Sequence, residues 1–298
     1  MMRVGKHPGR VGRQFATAAA RKPTFPQLLR LKLPGALSAW ETAGFVRNGD
    51  ADDYALSIGG VDVGIGDSLV SSSWGWRDGP LTRQRLDKTP RCWDGFLKDA
   101  LETSTEVKIC GVRTAIDDID AAEHEELLDF RASVSTAHPN GAVGIYSVCV
   151  TTPDFDGTLR AFEESGLELR RVRKIEDPAS PLSRGLSMAF FKFGAPPGRD
   201  VILELVGPGA SESAVAATVA TERAGFPVSE HATIAGMVVE VPSIAPLASL
   251  LGPTLLSDER PAAQGGGRRI ATFKHKLAGL PLPLAFITPS ESSAAAGT

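Results

Sequence analysis

The sequence predicts an α+β fold that is built from repeated copies of one small strand–helix module. In each copy an apolar run leads to a proline, then to a short helix, then to a glycine that an apolar residue follows. The prolines are Pro34, Pro153 and Pro242, and the glycines are Gly44, Gly166 and Gly252. Proline suits the first turn of a helix, and glycine suits the left-handed residue that ends one. Their recurrence indicates that the chain is assembled from modules.

The second copy is the most complete and shows the order of the elements. Thr152, Pro153 and Asp154 form a good helix start, because a hydroxyl can cap free N–H groups and a carboxylate suits the positive end of the dipole. The elements predicted are a strand at 145–150, a helix at 155–164 and strands at 167–174, 188–193 and 201–206. The module therefore has the order β-α-β-β-β.

The other two copies repeat this order less completely. In the third copy we predict strands at 237–241, 253–256, 269–274 and 282–288, and a helix at 244–251 that Ser243 caps. In the first copy we predict strands at 29–33, 54–58, 61–65 and 70–76, a helix at 36–42, and a tight turn at Gly59-Gly60. Residues 79–137 resemble the module least, with helices predicted at 93–101 and 121–130 and a strand at 106–112.

Composition and charge exclude several classes of function. The chain has 298 residues, of which 42% are hydrophobic and 22% charged, as in ordinary globular proteins. A net charge of −3 provides no basic surface for nucleic acid. No stretch reaches the roughly 18 consecutive apolar residues that a membrane-spanning helix needs. The three cysteines lack CxxC spacing, which argues against a disulfide framework and a zinc site.

The two ends of the chain differ from the rest. Residues 1–23 are rich in arginine and alanine and contain no acidic residue, which is the composition of an organelle transit peptide. Mitochondrion and plastid are not separated by this pattern, and the alternative is a disordered tail on a cytoplasmic protein. At the other end, residues 290–298 are rich in serine and alanine and are predicted to be disordered.

Residues 138–289 contain the segment GIYSVCVTTPD before the helix, and the later strands MAFFKFG, VILELVGP, GMVVEVPS, GRRIATFKH and LPLAFITP. In these segments and their order, the sequence resembles a glyoxalase-like domain of the vicinal oxygen chelate superfamily. The resemblance implies tandem βαβββ modules whose sheets curl into a half-open concave face, here called the cup. We therefore expect a glyoxalase-like domain of two paired units at 138–289. Residues 24–137 are expected to form an N-terminal domain with one degenerate unit and an insertion.

The resemblance also indicates where metal ligands lie in metal-dependent relatives. Counted from the module's prolines, the four positions fall on Ser147, Glu204, Gly236 and Ala285. A divalent ion needs three or four converging N, O or S ligands, and only Glu204 supplies one of the usual type. We therefore expect no bound metal and no other cofactor. A metal enzyme would need ligands from the N-terminal half, for example His124.

Strand alternation predicts the other side chains of the cup. On the first strand of the second copy, Ile145, Ser147, Cys149 and Thr151 lie on the side of the cup and Tyr146, Val148 and Val150 on the other. In the third copy, Gly236, Val238 and Glu240 share the side of the cup. Such a mostly apolar cavity with few polar groups is typical of a small-ligand site. Glu204 is the candidate catalytic residue, because a carboxylate in apolar surroundings has a raised pKa and can transfer protons. The alternative is a solvated remnant of a metal site.

Two adjacent arginines, Arg268 and Arg269, follow a run of three glycines. Because neighbouring residues of a strand point in opposite directions, one of the two is expected to face the cup and bind an anionic ligand or Glu204. The alternative is a surface charge.

Two functions follow from these residues. The first is an enzyme without metal that acts on a small carbonyl or hydroxy-acid metabolite, as a lyase or isomerase, with Glu204 as the acid or base. The second is a non-catalytic protein of the same fold that sequesters a small ligand in the cup. Because three recognisable units leave one unpaired, we also expect that unit to pack on the C-terminal domain or to join a partner in a homodimer.

Overall fold

The computed structural model describes residues 27–47, 56–66, 73–77, 93–97, 104–117, 137–174, 185–195, 199–208 and 229–291. In the N-terminal half the elements are β1 (Gln27–Pro34), α1 (Leu37–Thr42), β2 (Leu56–Ile58), β3 (Val61–Gly66), β4 (Ser73–Arg77), β5 (Trp93–Leu97), β6 (Ser104–Ile109) and β7 (Val112–Asp117). In the C-terminal half they are β8 (Gly144–Thr151), α2 (Phe155–Glu164), β9 (Glu168–Lys174), β10 (Leu186–Ala195), β11 (Arg199–Pro208), β12 (Thr233–Glu240), α3 (Ile244–Leu255), β13 (Arg260–Pro261), β14 (Arg269–Phe273) and β15 (Leu284–Ile287).

The C-terminal half consists of two units that obey one pairing rule. The first strand of each unit is parallel to its last, β8 to β11 and β12 to β15. The two first strands, β8 and β12, pair antiparallel and join the units. This arrangement confirms the predicted α+β class of tandem βαβββ modules. The helix predicted at 155–164 and the helix start at Ser243, whose Oγ accepts a hydrogen bond from Ala245 N, are also confirmed.

The N-terminal half follows the same rule twice, which differs from the expectation of one unit and an insertion. The strand β1 is parallel to β3 and antiparallel to β4, and β4 is parallel to β7. The strands β5, β6 and β7 then pair antiparallel in sequence, as β9, β10 and β11 do. The unit that the sequence left unpaired is therefore paired within the chain. The unpaired unit is therefore no longer a reason to expect a homodimer, and the homodimer stays a prediction.

Several local predictions are wrong for identifiable reasons. Residues 93–97 were expected to be helical, but they form β5, because pairing with β6 overrides their helical spacing. Residues 253–255 belong to α3 and not to a strand, and Gly252, at φ 64°, interrupts the helix there. The cap of α2 is Asp154, which accepts a hydrogen bond from Gly157 N, while Thr152 accepts one from Asp154 N.

One hydrophobic core runs through both halves of the molecule. Its centre includes Phe45, which makes edge contacts with Trp40 and His138 at ring-centroid distances of 5.6 and 5.3 Å and stacks on Phe286 at 6.4 Å. Across the connection between the halves, the side chain of Asn140 donates a hydrogen bond to the carbonyl of Ala43. The two halves are thus in close packing contact, while the domain limits at 137 and 138 stay a prediction.

His138 is a structural residue of this connection. Its Nδ1 accepts a hydrogen bond from Val46 N at 3.2 Å, so the proton lies on Nε2, which donates to the carbonyl of Ser57 at 2.8 Å. Burial lowers the pKa of His138, and the bond to Ser57 opposes this by a smaller amount. A second proton, on Nδ1, would point at the N–H of Val46 and break the hydrogen bond between them. The neutral imidazole is therefore the form that these two hydrogen bonds require.

Stability is expected to depend on pH through His138. Because its pKa is lowered on folding, the unfolded chain takes up the proton first, and the free energy of unfolding falls as pH is lowered from about 7 toward 5. Urea unfolding of the wild type and of His138→Gln across this range measures the effect. The variant should be less stable and should lack this part of the slope, whereas His231→Gln, which changes an exposed histidine, should retain it. Equal slopes in all three proteins would contradict the assignment.

No helix among the described residues is long and apolar enough to cross a membrane. The transit-peptide segment 1–23 lies outside the described residues, so the predicted location stays a prediction. Of the tail predicted to be disordered, Ser290 and Glu291 are described, and Glu291 N donates a hydrogen bond to the carbonyl of Gly266.

Candidate functional site

The floor of the cup is formed by β8 and its two neighbours, β11 and β12. Directly paired residues of adjacent strands point to the same side of a sheet. Ser147 is paired with Ile202 on one side and Val238 on the other, and Cys149 is paired in the same way with Glu204 and Gly236. Ser147, Cys149 and Glu204 therefore lie together on one face, as strand alternation predicted.

A β-bulge in β8 changes what alternation predicts for Tyr146. Ile145 is paired with Val239, but the next paired residue is Ser147, with Val238, so Tyr146 is the extra residue. Ile145 packs in the main core with Val148, whereas Tyr146 packs with Ile202 and Val238 in the cup. Sequence reasoning placed Tyr146 on the opposite face, because no residue type in β8 signals the bulge.

Glu204 is the carboxylate at the centre of this face, and its side chain is only partly exposed. Burial raises the pKa of Glu204, while Ser147 and Arg171 act in the opposite direction by smaller amounts. Ser147 Oγ is completely buried and makes no hydrogen bond of standard geometry among the described residues, but a hydrogen-bonding interaction with it lowers the pKa of Glu204, so the carboxylate is its partner on the floor. Buried polar groups in proteins are normally partnered, and a buried hydroxyl beside a largely buried carboxylate marks the floor as a candidate site.

The other titratable groups on the floor are held in their neutral forms. Burial, and secondarily the charge of Glu204, raises the pKa of the Cys149 thiol well above its usual value. Burial also raises the pKa of Tyr146, and the nearby charge of Arg268 reduces that effect. A thiol of this kind is a poor nucleophile, since the thiolate is the reactive form. Glu204 is therefore the group on the floor best suited to proton transfer.

Two arginines stacked on aromatic rings stand beside this floor. The guanidinium carbon of Arg268 lies 5.0 Å from the centroid of the Tyr146 ring, and that of Arg171 lies 4.4 Å from the centroid of Phe190. Phe190 is the residue of β10 that pairs with Glu204, which places Arg171 close to the carboxylate. Arginine stacked in this way keeps its N–H edges available for an anion.

These arginines line one cavity of about 390 Å³, at the lower end of the range for small-ligand pockets. Its walls include Tyr146, Phe190, Ile202, Lys192 and both arginines. Arg171 lies on β9 and Arg268 immediately precedes β14, near the opposite ends of the strand order in this half. The sheet must therefore curl to bring them together. Glu204 itself does not line the cavity, but it lies two residues along β11 from Ile202, which does.

The other residues that the sequence predicted for the site do not line the cavity. Arg269 does not line the cavity; its Nε donates to Glu259 Oε1 at 2.7 Å. Of the adjacent pair, Arg268 is thus the one that faces the cup. Glu240 lies at the end of β12, paired with Gly144, and is near enough to Tyr146 to influence its pKa. Ser147 and Cys149 belong to the floor and are not part of the cavity wall.

Sequence reasoning missed Arg171, Phe190 and Lys192. A signal for two of them was available, because Phe190 and Lys192 pair with Glu204 and Ile202 and share their face. Counting back from the hairpin between β10 and β11 would have identified both. Arg171 had no such signal, since a bulge at Arg170 shifts the register of β9.

The donor set of the floor does not fit a metal ion. Among the described residues, no group of three or more His, Cys, Asp or Glu side chains is arranged to hold one. At Gly236 a Cβ would lie 3.2 Å from the carbonyl oxygen of Pro283, so a ligating side chain there would need Pro283 to shift. His231 is exposed, and His275 Nδ1 bonds to the carbonyl of Leu280. His124 lies outside the described residues.

Comparison with known proteins supports the fold. No family model matches the sequence, and no curated protein matches it. A xylose isomerase-like TIM barrel/4-hydroxyphenylpyruvate dioxygenase fusion protein aligns over 91% of this chain and 50% of its own, with TM-score 0.54 and 11% identity. An extradiol ring-cleaving dioxygenase from B. fuscum aligns over 91% of this chain and 75% of its own, with TM-score 0.50 and 10% identity.

Methylmalonyl-CoA epimerase from Mycobacterium tuberculosis aligns over 52% of this chain and 93% of its own, with TM-score 0.36 and 18% identity. At these identities the likeness concerns the fold alone. The chain therefore shares the fold of the fusion protein and of the ring-cleaving dioxygenase, in agreement with the predicted tandem-module fold.

Proposed function

We propose that the cup of the C-terminal half binds a small organic acid that carries a carbonyl or hydroxyl group, and that Glu204 exchanges a proton with it without a metal. The observation that carries this proposal is the joint position of Arg171 and Arg268 on one cavity, each stacked on an aromatic ring, next to Glu204.

The binding part of the proposal follows from the chemistry of the cavity wall. Arginine forms paired, charge-assisted hydrogen bonds with carboxylates, and the rings of Tyr146 and Phe190 supply apolar surface for the rest of the molecule. A volume of about 390 Å³ suits a metabolite of modest size. A small acid is therefore the ligand class that the wall fits.

The proton-transfer part follows from Glu204. A carboxylate whose pKa is raised by burial is a stronger base than an ordinary glutamate, so it can accept a proton from a ligand and return it. If the proton comes from the carbon next to a carbonyl, the electron pair moves to the carbonyl oxygen, and an arginine stabilises the negative charge that develops there. Return of the proton gives an isomerase-type reaction, and loss of a neighbouring group gives a lyase-type reaction.

A second function, non-catalytic sequestration of the same ligand, is favoured by one observation. Glu204 lies behind the cavity wall and not in it, so a ligand held only by the wall has no contact with the carboxylate. Saturable binding without any product distinguishes this function from the first.

Binding of small acids should depend on Arg268 and not on Arg269. We expect 2-hydroxy and 2-oxo acids, tested with EDTA present, to raise the melting temperature of the wild type, because a ligand that binds only the folded state stabilises it. Arg268→Ala should weaken binding about tenfold or more, since it removes a charge-assisted hydrogen bond. Arg269→Ala removes a neighbouring arginine that is paired with Glu259, and it should bind like the wild type. Equal losses in the two variants would contradict the proposal.

A further inference from the structure

The charges around the cavity are unbalanced. The wall carries the basic residues Arg170, Arg171, Lys192 and Arg268, and Asp200 is the acidic residue among the described side chains of the wall. Arg170 is paired with Glu168 at 2.6 Å, and Lys192 with Asp200 at 3.1 Å. Two of the four cations are therefore compensated by carboxylates of the protein.

The other two cations, Arg171 and Arg268, have no carboxylate within ion-pair distance in the described parts of the chain. Arg268 donates one hydrogen bond, to the carbonyl of Thr288, which carries no net charge. Arg171 is exposed and is near enough to Glu204 to influence its pKa, but burial raises that pKa and so disfavours the charged form. Two like charges beside one cavity attract anions into it.

The two guanidinium groups are also placed separately. Each lies over a different ring, Arg171 over Phe190 and Arg268 over Tyr146, so the two positive charges occupy different parts of the wall. Arg171 lies on β9 and Arg268 immediately precedes β14, near opposite ends of the strand order in the C-terminal half, and Tyr146 and Ile202 line the same cavity. A ligand with a single anionic group would satisfy one arginine and leave the other uncompensated.

We propose that the ligand of the cup carries two anionic groups, one bound by Arg171 and the other by Arg268, with an apolar stretch between them against Tyr146 and Ile202. Each group is a carboxylate or a phosphate, because both match the fork of arginine. This inference rests on the proposed function, to which it adds the class of ligand.

Isothermal titration of the full-length protein with matched probes tests the number of anionic groups. The probes are malonate, succinate, glutarate and adipate, each beside the monocarboxylate of equal carbon number, and phosphonoacetate represents the phosphate arm. We expect at least one dianion to bind about tenfold or more tightly than its monoanion, which is the effect of one added charge-assisted interaction. Preference for phosphonoacetate over the dicarboxylates would assign one site to phosphate.

The variants show whether both arginines take part. Arg171→Ala and Arg268→Ala should each reduce the affinity for the preferred dianion to that of its monoanion, and Arg269→Ala should leave it unchanged. If a monoanion binds as tightly as its dianion, or if Arg171→Ala has no effect while Arg268→Ala does, the two-anion inference is wrong and the proposed function stands. If no probe binds and no small acid stabilises the wild type, both are wrong.

Discussion

Glu204→Gln is expected to abolish turnover of the natural substrate while the ligand still binds. A side chain that acts as general acid or base contributes about 10²–10⁴-fold to the rate, and an amide of the same shape cannot accept the proton. The ratio kcat/KM of the wild type should also fall as pH is lowered through the raised pKa of Glu204, above the range of an ordinary glutamate. Steady-state kinetics across pH, with Glu259→Gln as an exposed control, measure both effects.

The same variant has a readout that does not depend on knowing the substrate. Because burial raises the pKa of Glu204, its contribution to stability is complete below the pKa of the unfolded chain and is lost as pH rises through the folded pKa. Glu204→Gln, which stays neutral, should therefore gain stability relative to the wild type as pH rises. A constant difference between the two unfolding curves at all pH values would show that Glu204 is not perturbed. Unchanged turnover in the variant would refute its catalytic role.

Phe45→Ala is expected to be among the most destabilising single substitutions. The side chain is 2% exposed and contacts Trp40, His138 and Phe286, so truncation leaves a cavity at the connection between the halves. Removal of a buried phenylalanine costs about 3–5 kcal/mol. Val46→Ala, at a neighbouring position that is 40% exposed, should change stability by about 0.5 kcal/mol or less. Chemical denaturation of the three proteins tests this difference.

The shape of the unfolding curve tests whether the halves unfold together. Since one hydrophobic core includes residues of both halves, Phe45→Ala should shift a single transition as a whole. Phe162→Ala, which removes an edge contact with Phe191 inside the C-terminal half, should shift the same transition. Two transitions, each moved by one of the substitutions, would mean that the halves are independent domains.

Much of the C-terminal half could be predicted, because its local signals agree with its tertiary structure. Pro153, Asp154 and Gly166 mark the ends of a helix that the structure has at 155–164, and Gly166 has the expected positive φ of 96°. The apolar strands around it pair in the order of the module. Glu204 could be found because the resemblance implies a ligand position on the last strand of the unit, four residues before Pro208.

The fourth unit could not be predicted from its residues. In β5 the pattern of Trp93, Phe96 and Leu97 fits a helix as well as a strand, and only the partner strand β6 decides between them. The same limit applies to Tyr146 and Arg171, whose faces depend on bulges in β8 and β9. A bulge reverses alternation from that point onward, and its position is set by the register of two strands that are distant in sequence.

The sequence by itself determined the order of elements in the C-terminal module and the helix at 155–164, because these follow from local spacing and residue type. The resemblance implied the ligand positions at Ser147, Gly236 and Ala285, which lack the usual ligating side chains. Only the tertiary structure decided that Arg268 and not Arg269 faces the cup, and that Arg171 meets it there from another strand. The reason is physical: the curl of the sheet brings β9 and the start of β14, which lie far apart in the strand order of the C-terminal half, to one cavity. That approach depends on pairings which no local pattern encodes.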